Sequence, residues 1–482
     1  MYIFHMNCSL RRFPVCLCFF RFKNVEKRIF QKGLSRKIWI EKSVGVKKVK
    51  GFKLGEKSYR RRSILKERGF FLKKKCVSEG FQSLGLIPSV VDAIHKDVLS
   101  SLRTVYPTPI QFLAIPKILR SFFLKQSSKT FLLAAETGSG KTLAYVAPIL
   151  HILKMEEKMS SNVDSIRLVN SPRCIILVPT AELVRQVYLL LKQMSHNVKF
   201  RPVFTISSLS LSFIKKNILT TVSDVLVATP FQIYRFIQEK KLIMNEVRYI
   251  VADEADTLLD TSFSSLVLFI LNAATKLKLL IFCSSVVSRK FDRLLSKYFP
   301  DFSRIVTPSL HTISKKISFN IVDAQKDFKN NKKLACVNIL EKIIKDETNI
   351  SKKVIIFFNE RKQSDEFAEY LKNKGFSAFS LTKYTKDRLD TIHNFIYGSF
   401  SEKSCLSILV TTDLNSRGVD TIGLKNVILF DIPYNPTDLI HRLGRIGRGG
   451  KKGKAYLILG KEKNREWVDE IKKSIKIGKA LI

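Results

Sequence analysis

The sequence predicts an α/β protein of two tandem domains, each a mostly parallel sheet flanked by helices. Three observations carry that reading. Short apolar runs of strand length recur from residue 130 onward, and longer stretches with helical spacing of apolar residues separate them. A polar, Pro-containing interruption at 306–316 divides the series in two. Strands that are apolar throughout are buried on both faces, and their alternation with helices implies βαβ units with parallel strands.

The first series runs TFLLAA (130–135), CIILVP (174–179), VLVATP (225–230), YIVAD (249–253) and LLIFCSS (279–285). Between the second and third lies ELVRQVYLLLKQM (182–194), apolar on one helical face. VTPSLHTISKK (306–316) reads as a linker, after which KVIIFFN (353–359), LSILVTTD (406–413), NVILFDIP (426–433) and KAYLILG (454–460) resume the pattern. The expected organisation is a basic extension at 1–75, a first domain at 76–305, the linker, and a second domain at 317–482.

Charge points to the partner. The chain carries 84 Lys and Arg against 41 Asp and Glu, a formal net charge of +43. So basic a chain implies a polyanion, most simply nucleic acid. The 45% of apolar residues suits a folded protein and excludes a mainly disordered one. Eight scattered cysteines form neither a zinc ligand set nor a disulfide framework, which favours a reducing compartment. Residues 1–75 hold 23 Lys and Arg and four acids. Within them, RRFPVCLCFFRFK (11–23) has an eight-residue apolar run, far too short to span a bilayer, so no membrane insertion is expected. Basic, almost acid-free and apolar-interleaved, the extension reads as a mitochondrial targeting segment, with a nuclear or nucleolar tail as the alternative. A solvated RNA-binding arm without an address is the plainest option.

AAETGSGKT (134–142) follows the first strand and matches the Walker A pattern, with Ala135 in the first Gly position. Gly138 and Gly140 let the loop through Thr137 and Ser139 curl its N–H groups toward phosphate oxygens. Lys141 would reach the β and γ phosphates of ATP, and Thr142 would offer a hydroxyl to Mg²⁺. YIVADEADTLLD (249–260) ends an apolar strand in Asp253, Glu254, Asp256 and Asp260. Close carboxylates repel and need a compensating cation. Nucleotide-borne Mg²⁺ supplies it: Asp253 would hold the metal, largely through water, and Glu254 would orient or deprotonate the attacking water. For any one of these acids, a solvated turn or a helix cap is the plain alternative. In the second domain, Arg445 and Arg448 on a tight Gly-containing segment suit the charge spread over a transferring phosphoryl group.

Walker A followed by D-E-A-D across two α/β domains resembles the DEAD-box ATP-dependent RNA helicases of superfamily 2, over roughly residues 81–460. The resemblance implies two RecA-like domains, ATP and Mg²⁺ as cofactors, and RNA as partner to a monomeric enzyme. YPTPIQ (106–111) looks like the Q motif, which implies Gln111 on the adenine edge and Phe81 stacked on the ring. PTAELVRQ (179–186) and TPFQ (229–232) match RNA-contacting motifs, implying RNA contacts from Pro179, Thr180 and Thr229. VIIFFNER (354–361), TTDLNSRGVD (411–420) and HRLGRIGR (441–448) match motifs of the second domain. They imply Asp420 on the ribose, Thr412 and Arg388 on RNA phosphates, and Asp256 in a network joining the domains. His441 and Arg442 fit either a packing or interdomain contact or a direct ligand role, and the resemblance implies interdomain coupling for His441 with Cys283, Ser284 and Ser285. DEADTLLD, the basic N-terminus and a short C-terminal extension are similar to the animal mitochondrial member, implying a structured target such as mitochondrial ribosomal RNA.

Four departures fall on RNA contact or coupling: Ala181 for the Arg of PTREL, Ser207-Ser208 for Gly-Gly, Cys283-Ser284-Ser285 for the Ser-Ala-Thr linkage motif, and LTKYTKDR (381–388) without the His-Gly before Arg388. Two functions follow. One is an RNA-dependent ATPase that opens short duplexes or remodels ribonucleoprotein. The other is a nucleotide-gated RNA clamp or ribosome-assembly scaffold with little turnover. Intact Glu254, Arg445 and Arg448 favour the first. A DNA helicase is disfavoured by resemblance alone, because phosphate contacts do not separate RNA from DNA.

Overall fold

The computed structural model describes residues 80–477 apart from 103, 124–129, 160–167, 215, 217, 219, 261–262, 315, 347–352, 383–384, 386–387, 398–405, 414–423, 448–451 and 462–464. The basic extension, Asp420 and Arg448 lie outside the described residues.

Thirteen strands are described, in two wholly parallel sheets. The first comprises β1 (Thr130–Ala134), β2 (Cys174–Leu177), β3 (Pro202–Thr205), β4 (Val225–Ala228), β5 (Tyr249–Ala252), β6 (Leu279–Ser284) and β7 (Ser303–Val306), in the order β3-β4-β2-β5-β6-β1-β7. The second comprises β8 (Ile317–Asp323), β9 (Lys353–Phe358), β10 (Ser377–Leu381), β11 (Ser407–Thr412), β12 (Asn426–Leu429) and β13 (Gly453–Leu459), in the order β10-β11-β9-β12-β13-β8.

Packing explains the apolar runs. Along β1, Phe131 and Leu133 face one core while Leu132 and Ala134 face the other; along β2, Cys174 and Ile176 alternate likewise with Ile175 and Leu177. Helices cover both faces, so every position of a central strand must be apolar. The second sheet repeats this, with Ile355 and Phe357 on one face and Val354, Ile356 and Phe358 on the other. The nine runs read as strands all lie inside the sheets. The four strands not read, β3, β7, β8 and β10, are the four sheet edges, where side chains are only partly buried.

Because every strand points the same way, all carboxyl ends of a sheet share one rim, where α/β sheets place their ligands. Along the first rim, Thr229 and Pro179–Thr180 follow β4 and β2, Asp253 follows β5, Ser284 closes β6 and the Gly138–Gly140 loop follows β1. The rim is thereby divided into a half bearing the RNA-type motifs and a half bearing the nucleotide motifs. Among the described residues no helix is long and apolar enough to cross a membrane.

Candidate active site

The phosphate loop joins β1 to the helix Lys141–Met159 and turns at Gly138 (φ 75°) and Gly140 (φ 83°), a region that L side chains rarely adopt. A side chain at 140 would also collide with the amide of Gln111. Gln111 is buried: its Nε2 donates to the Gly140 carbonyl at 3.1 Å, and its Oε1 accepts the Thr108 N–H at 2.8 Å. Lys141 Nζ donates to the carbonyls of Ala135 (2.8 Å) and Glu136 (3.0 Å). The Oγ of Ser139 and the Oε2 of Glu254 are buried with no hydrogen-bond partner among the described residues. Buried polar atoms are seldom left so, which suits a site whose polar ligand completes it.

Asp253 leaves β5 buried, at 6% exposure. Its Oδ2 accepts the Tyr145 hydroxyl at 2.9 Å and its Oδ1 the Glu254 N–H at 2.9 Å. Burial first, and the Glu254 carboxylate second, raise its pKa to about 6, while Lys141 pulls the other way. Glu254 takes a left-handed conformation (φ 53°), a strain of about 1–3 kcal/mol for a non-glycine residue. The kink turns the chain from β5 into the helix Ala255–Leu258.

Asp256 lies one residue into that helix and meets both domains. Its Oδ1 accepts the Ser284 hydroxyl at 2.7 Å, and its Oδ2 lies 3.1 Å from His441 Nε2. The other ring nitrogen of His441 lies 3.4 Å from Ser285 Oγ. Cys283, beside them, is buried, and burial pushes its thiol pKa up. His441 belongs to the helix Pro436–Leu443 of the second sheet's domain, and just beyond it Gly444 presses on Thr137 of the phosphate loop. A Cβ at 444 would stand 2.9 Å from the Thr137 Cβ. Arg445 follows, buried at 3% exposure. Arg442 is fully buried and stays within its own domain. It forms a fork on Asp413 (both contacts 2.7 Å) and donates to Asn359 Oδ1 (2.6 Å) and the Asp431 carbonyl (3.0 Å). Packing is therefore the role the geometry gives it.

Two expected residues are placed otherwise than anticipated. Phe81 is wholly buried in the core, edge-on to His95 at 6.1 Å. Its ring has no open face for an adenine; the short helical turn Phe81–Leu84 folds it inward instead. Arg388, expected on RNA phosphates, donates from Nε to Glu182 Oε1 of the first domain at 2.8 Å and from Nη1 to the Thr382 carbonyl at 2.9 Å. Thr180 caps the helix Ala181–Val198, accepting the Leu183 N–H at 3.3 Å. Pro179 is buried beside it, and Thr229 and Thr412 are half-buried at the ends of β4 and β11.

The comparisons with known proteins agree with this geometry. The DEAD/DEAH box helicase model matches residues 108–294, and the helicase conserved C-terminal domain model matches 335–450. The mitochondrial ATP-dependent RNA helicase mrh4 of Sclerotinia sclerotiorum is 34% identical over 84% of this chain and 78% of its own length. The chain belongs to the DEAD-box helicase family. The mitochondrial MRH4 of Pyricularia oryzae, 31% identical, matches the helicase over 84% of this chain and 74% of its own length. Both relatives are fungal, and the helicase is mitochondrial as they are. Two solved structures share the pair of RecA-like domains. Mss116p bound to ssRNA and AMP-PNP superposes with a TM-score of 0.65 at 23% identity, covering 83% of this chain and 77% of that one. S. cerevisiae Dbp5 bound to RNA and ADP BeF3 gives 0.63 at 20% identity, covering 84% and 94%. The helicase is thus an RNA-dependent ATPase that binds ATP and RNA.

Three contacts of the helicase escaped the sequence reading. Tyr145 holds Asp253. Glu136 Oε2 accepts the hydroxyls of Thr307 (3.0 Å) and Ser309 (2.8 Å), tying the phosphate loop to the linker. Glu182 pairs with Arg388 across the domains. Only Tyr145 left a signal: it stands three residues after Thr142, on the same helical face.

Proposed function

We propose that the helicase hydrolyses ATP at a composite site assembled by closure of residues 76–305 and 317–482, joined by 306–316, and that this closure locally opens RNA duplexes or remodels ribonucleoprotein. The observation that supports this reading is the seat of Gly444, the residue before Arg445, on Thr137, together with the approach of His441 to Asp256. Lys141, now on loop carbonyls, transfers to the β and γ phosphates. Thr142 and Asp253 would hold Mg²⁺, and the residues fit it: Asp253 is a buried carboxylate beside a second one, Glu254, whose Oε2 is buried with no hydrogen-bond partner among the described residues. The ion, when bound, neutralises phosphate charge. Glu254 takes the proton of the attacking water, and Arg445 with Arg448 offsets the charge that develops on the transferring group. Gln111 reads the adenine edge, Asp420 the ribose, and Pro179, Thr180, Thr229 and Thr412 the RNA backbone. A structured mitochondrial RNA such as ribosomal RNA is the proposed target, bound by a monomer.

Glu254→Gln tests the assignment. Asp253 and Lys141 remain, so ATP binds about as before, while turnover falls by about 10²–10⁴, the usual share of a general base. RNA dissociation in ATP should slow, since closure needs both ligands and not hydrolysis. Equal turnover in parent and variant would remove Glu254 from the mechanism. A parent that barely hydrolyses, and gains no residence time from the change, would instead be the clamp.

A further inference from the structure

The helix Lys141–Met159 is fastened to β5 at both ends by the same pair of groups with the donor exchanged. At the carboxyl end of β5, Tyr145 of the helix donates to Oδ2 of Asp253 at 2.9 Å. At its amino end, Tyr249 of the strand donates to Oε1 of Glu156, on the helix, at 2.7 Å. The remote pair belongs to a charge cluster with Arg248 and Lys278. The other stands inside the nucleotide site.

The surroundings of Tyr145 are specific. The side chain is fully buried and among the bulkiest in the core. It stands one helical turn after Thr142 on the phosphate-loop helix and touches Asp253 at the end of β5. Asp253 has two bonds to protein donors, Tyr145 on Oδ2 and the Glu254 N–H on Oδ1. With one on each oxygen, the carboxylate plane cannot rotate without breaking both. Each oxygen keeps a free lone-pair direction for water or a cation.

From this geometry we infer that Tyr145 is a positioning residue for the divalent cation that accompanies the nucleotide. Its hydroxyl fixes the carboxylate plane of Asp253. A phenylalanine would fill the same space and satisfy the core equally, so packing does not require the oxygen. A hydrogen bond to a ligating carboxylate orients it and raises affinity for the metal, and removing such a partner typically costs about 10–100-fold in metal affinity. The inference rests on the assignment of Asp253 to the metal, and its test separates the two.

The experiment titrates Mg²⁺ into the full chain at fixed mant-ADP and follows nucleotide fluorescence, which needs no turnover. Tyr145→Phe should move the Mg²⁺ midpoint upward by about tenfold or more while leaving mant-ADP affinity in EDTA unchanged. Tyr249→Phe breaks the matching bond at the far end of β5 and should leave the midpoint in place. A folded Tyr145→Phe whose midpoint stays within twofold of the parent overturns the inference, as does an equal shift in Tyr249→Phe. Asp253→Asn tests the underlying reading: loss of the Mg²⁺ response supports it, and an intact response sinks it together with the inference.

Discussion

The seam between the two domains has two halves that are built differently. On the nucleotide half, the contacts are made by motif residues that are buried or partly buried: His441 with Asp256 and Ser285, and Gly444 on Thr137. On the RNA half, the cross-domain contact seen among the described residues is an ion pair, Arg388 with Glu182, its guanidinium side chain 22% exposed. The four departures from the family pattern divide unevenly too. Ala181, Ser207-Ser208 and the segment before Arg388 fall on the RNA half, whereas Ser284 and Ser285, altered in the linkage motif, hydrogen-bond to Asp256 and His441. Position along the rim explains the asymmetry. The nucleotide half lies over central strands, where each polar group must be satisfied or pay a desolvation penalty. The RNA half reaches the edge strands β3 and β10, where Ser207 and Ser208 stand in solvent and a replaced side chain leaves nothing buried and unpaired.

The largest effect should come from the nucleotide half. Arg445→Ala is expected to leave ATP binding nearly intact and to lower turnover by about 10³–10⁵, the usual contribution of an arginine acting on a transferring phosphoryl group. Steady-state ATPase with RNA, beside mant-ATP binding, checks it. Turnover within a few-fold of the parent in a folded variant would make Arg445 a packing residue, and the two halves would differ less than their burial suggests.

A smaller effect should follow from His441→Ala. It removes the links to Asp256 and Ser285 without touching nucleotide or RNA directly. The factor by which RNA tightens ATP binding should then drop by roughly tenfold, within the usual range of coupling between sites, while each ligand alone binds as before. Titrating ATP with and without RNA reads that factor. An unchanged factor would mean that His441 does not carry the coupling between the two sites.

Which parts of this were legible in the sequence follows the same physical division. Central strands such as β1, β2 and β9 are buried on both faces and appear as continuous apolar runs. The edge strand β8, ISFNIVD, is partly exposed along most of its length and carries no such run. The phosphate loop and the acids after β5 were readable because phosphate and cation chemistry constrain residue type and spacing together. Tyr145 was not singled out because a buried aromatic in an apolar helix reads as core, and its hydroxyl bond spans 108 residues of sequence. For Phe81 the Q-motif resemblance implies stacking on the adenine, yet its neighbours turn it into the core. The Glu182–Arg388 pair, 206 residues apart, leaves no local pattern at all.

That pair gives the last and smallest prediction, and its sign decides what the RNA half does. If Arg388 serves RNA phosphates and Glu182 merely occupies it beforehand, Glu182→Gln releases the guanidinium and RNA binds more tightly. If the pair is a latch formed on closure, the same change weakens closure and RNA binds less tightly. The geometry favours the latch: Glu182 is buried, and Arg388 is held at a second point by the Thr382 carbonyl. Exposed pairs contribute about 0–1 kcal/mol, whereas breaking a buried pair costs about 3–5 kcal/mol. This one is half-screened, and glutamine keeps an acceptor for the Arg388 Nε–H. A loss of about fivefold in RNA affinity, roughly 1 kcal/mol, is therefore expected with an ATP analogue present. Salt dependence supplies the second reading. A phosphate contact contributes about −0.7 to the log–log slope on single strands, so Arg388→Ala should flatten the slope by that amount only if the arginine touches RNA. An unchanged slope with weaker binding in both variants makes the RNA half a second latch. Tighter binding in Glu182→Gln, with a flattened slope in Arg388→Ala, returns Arg388 to the RNA path.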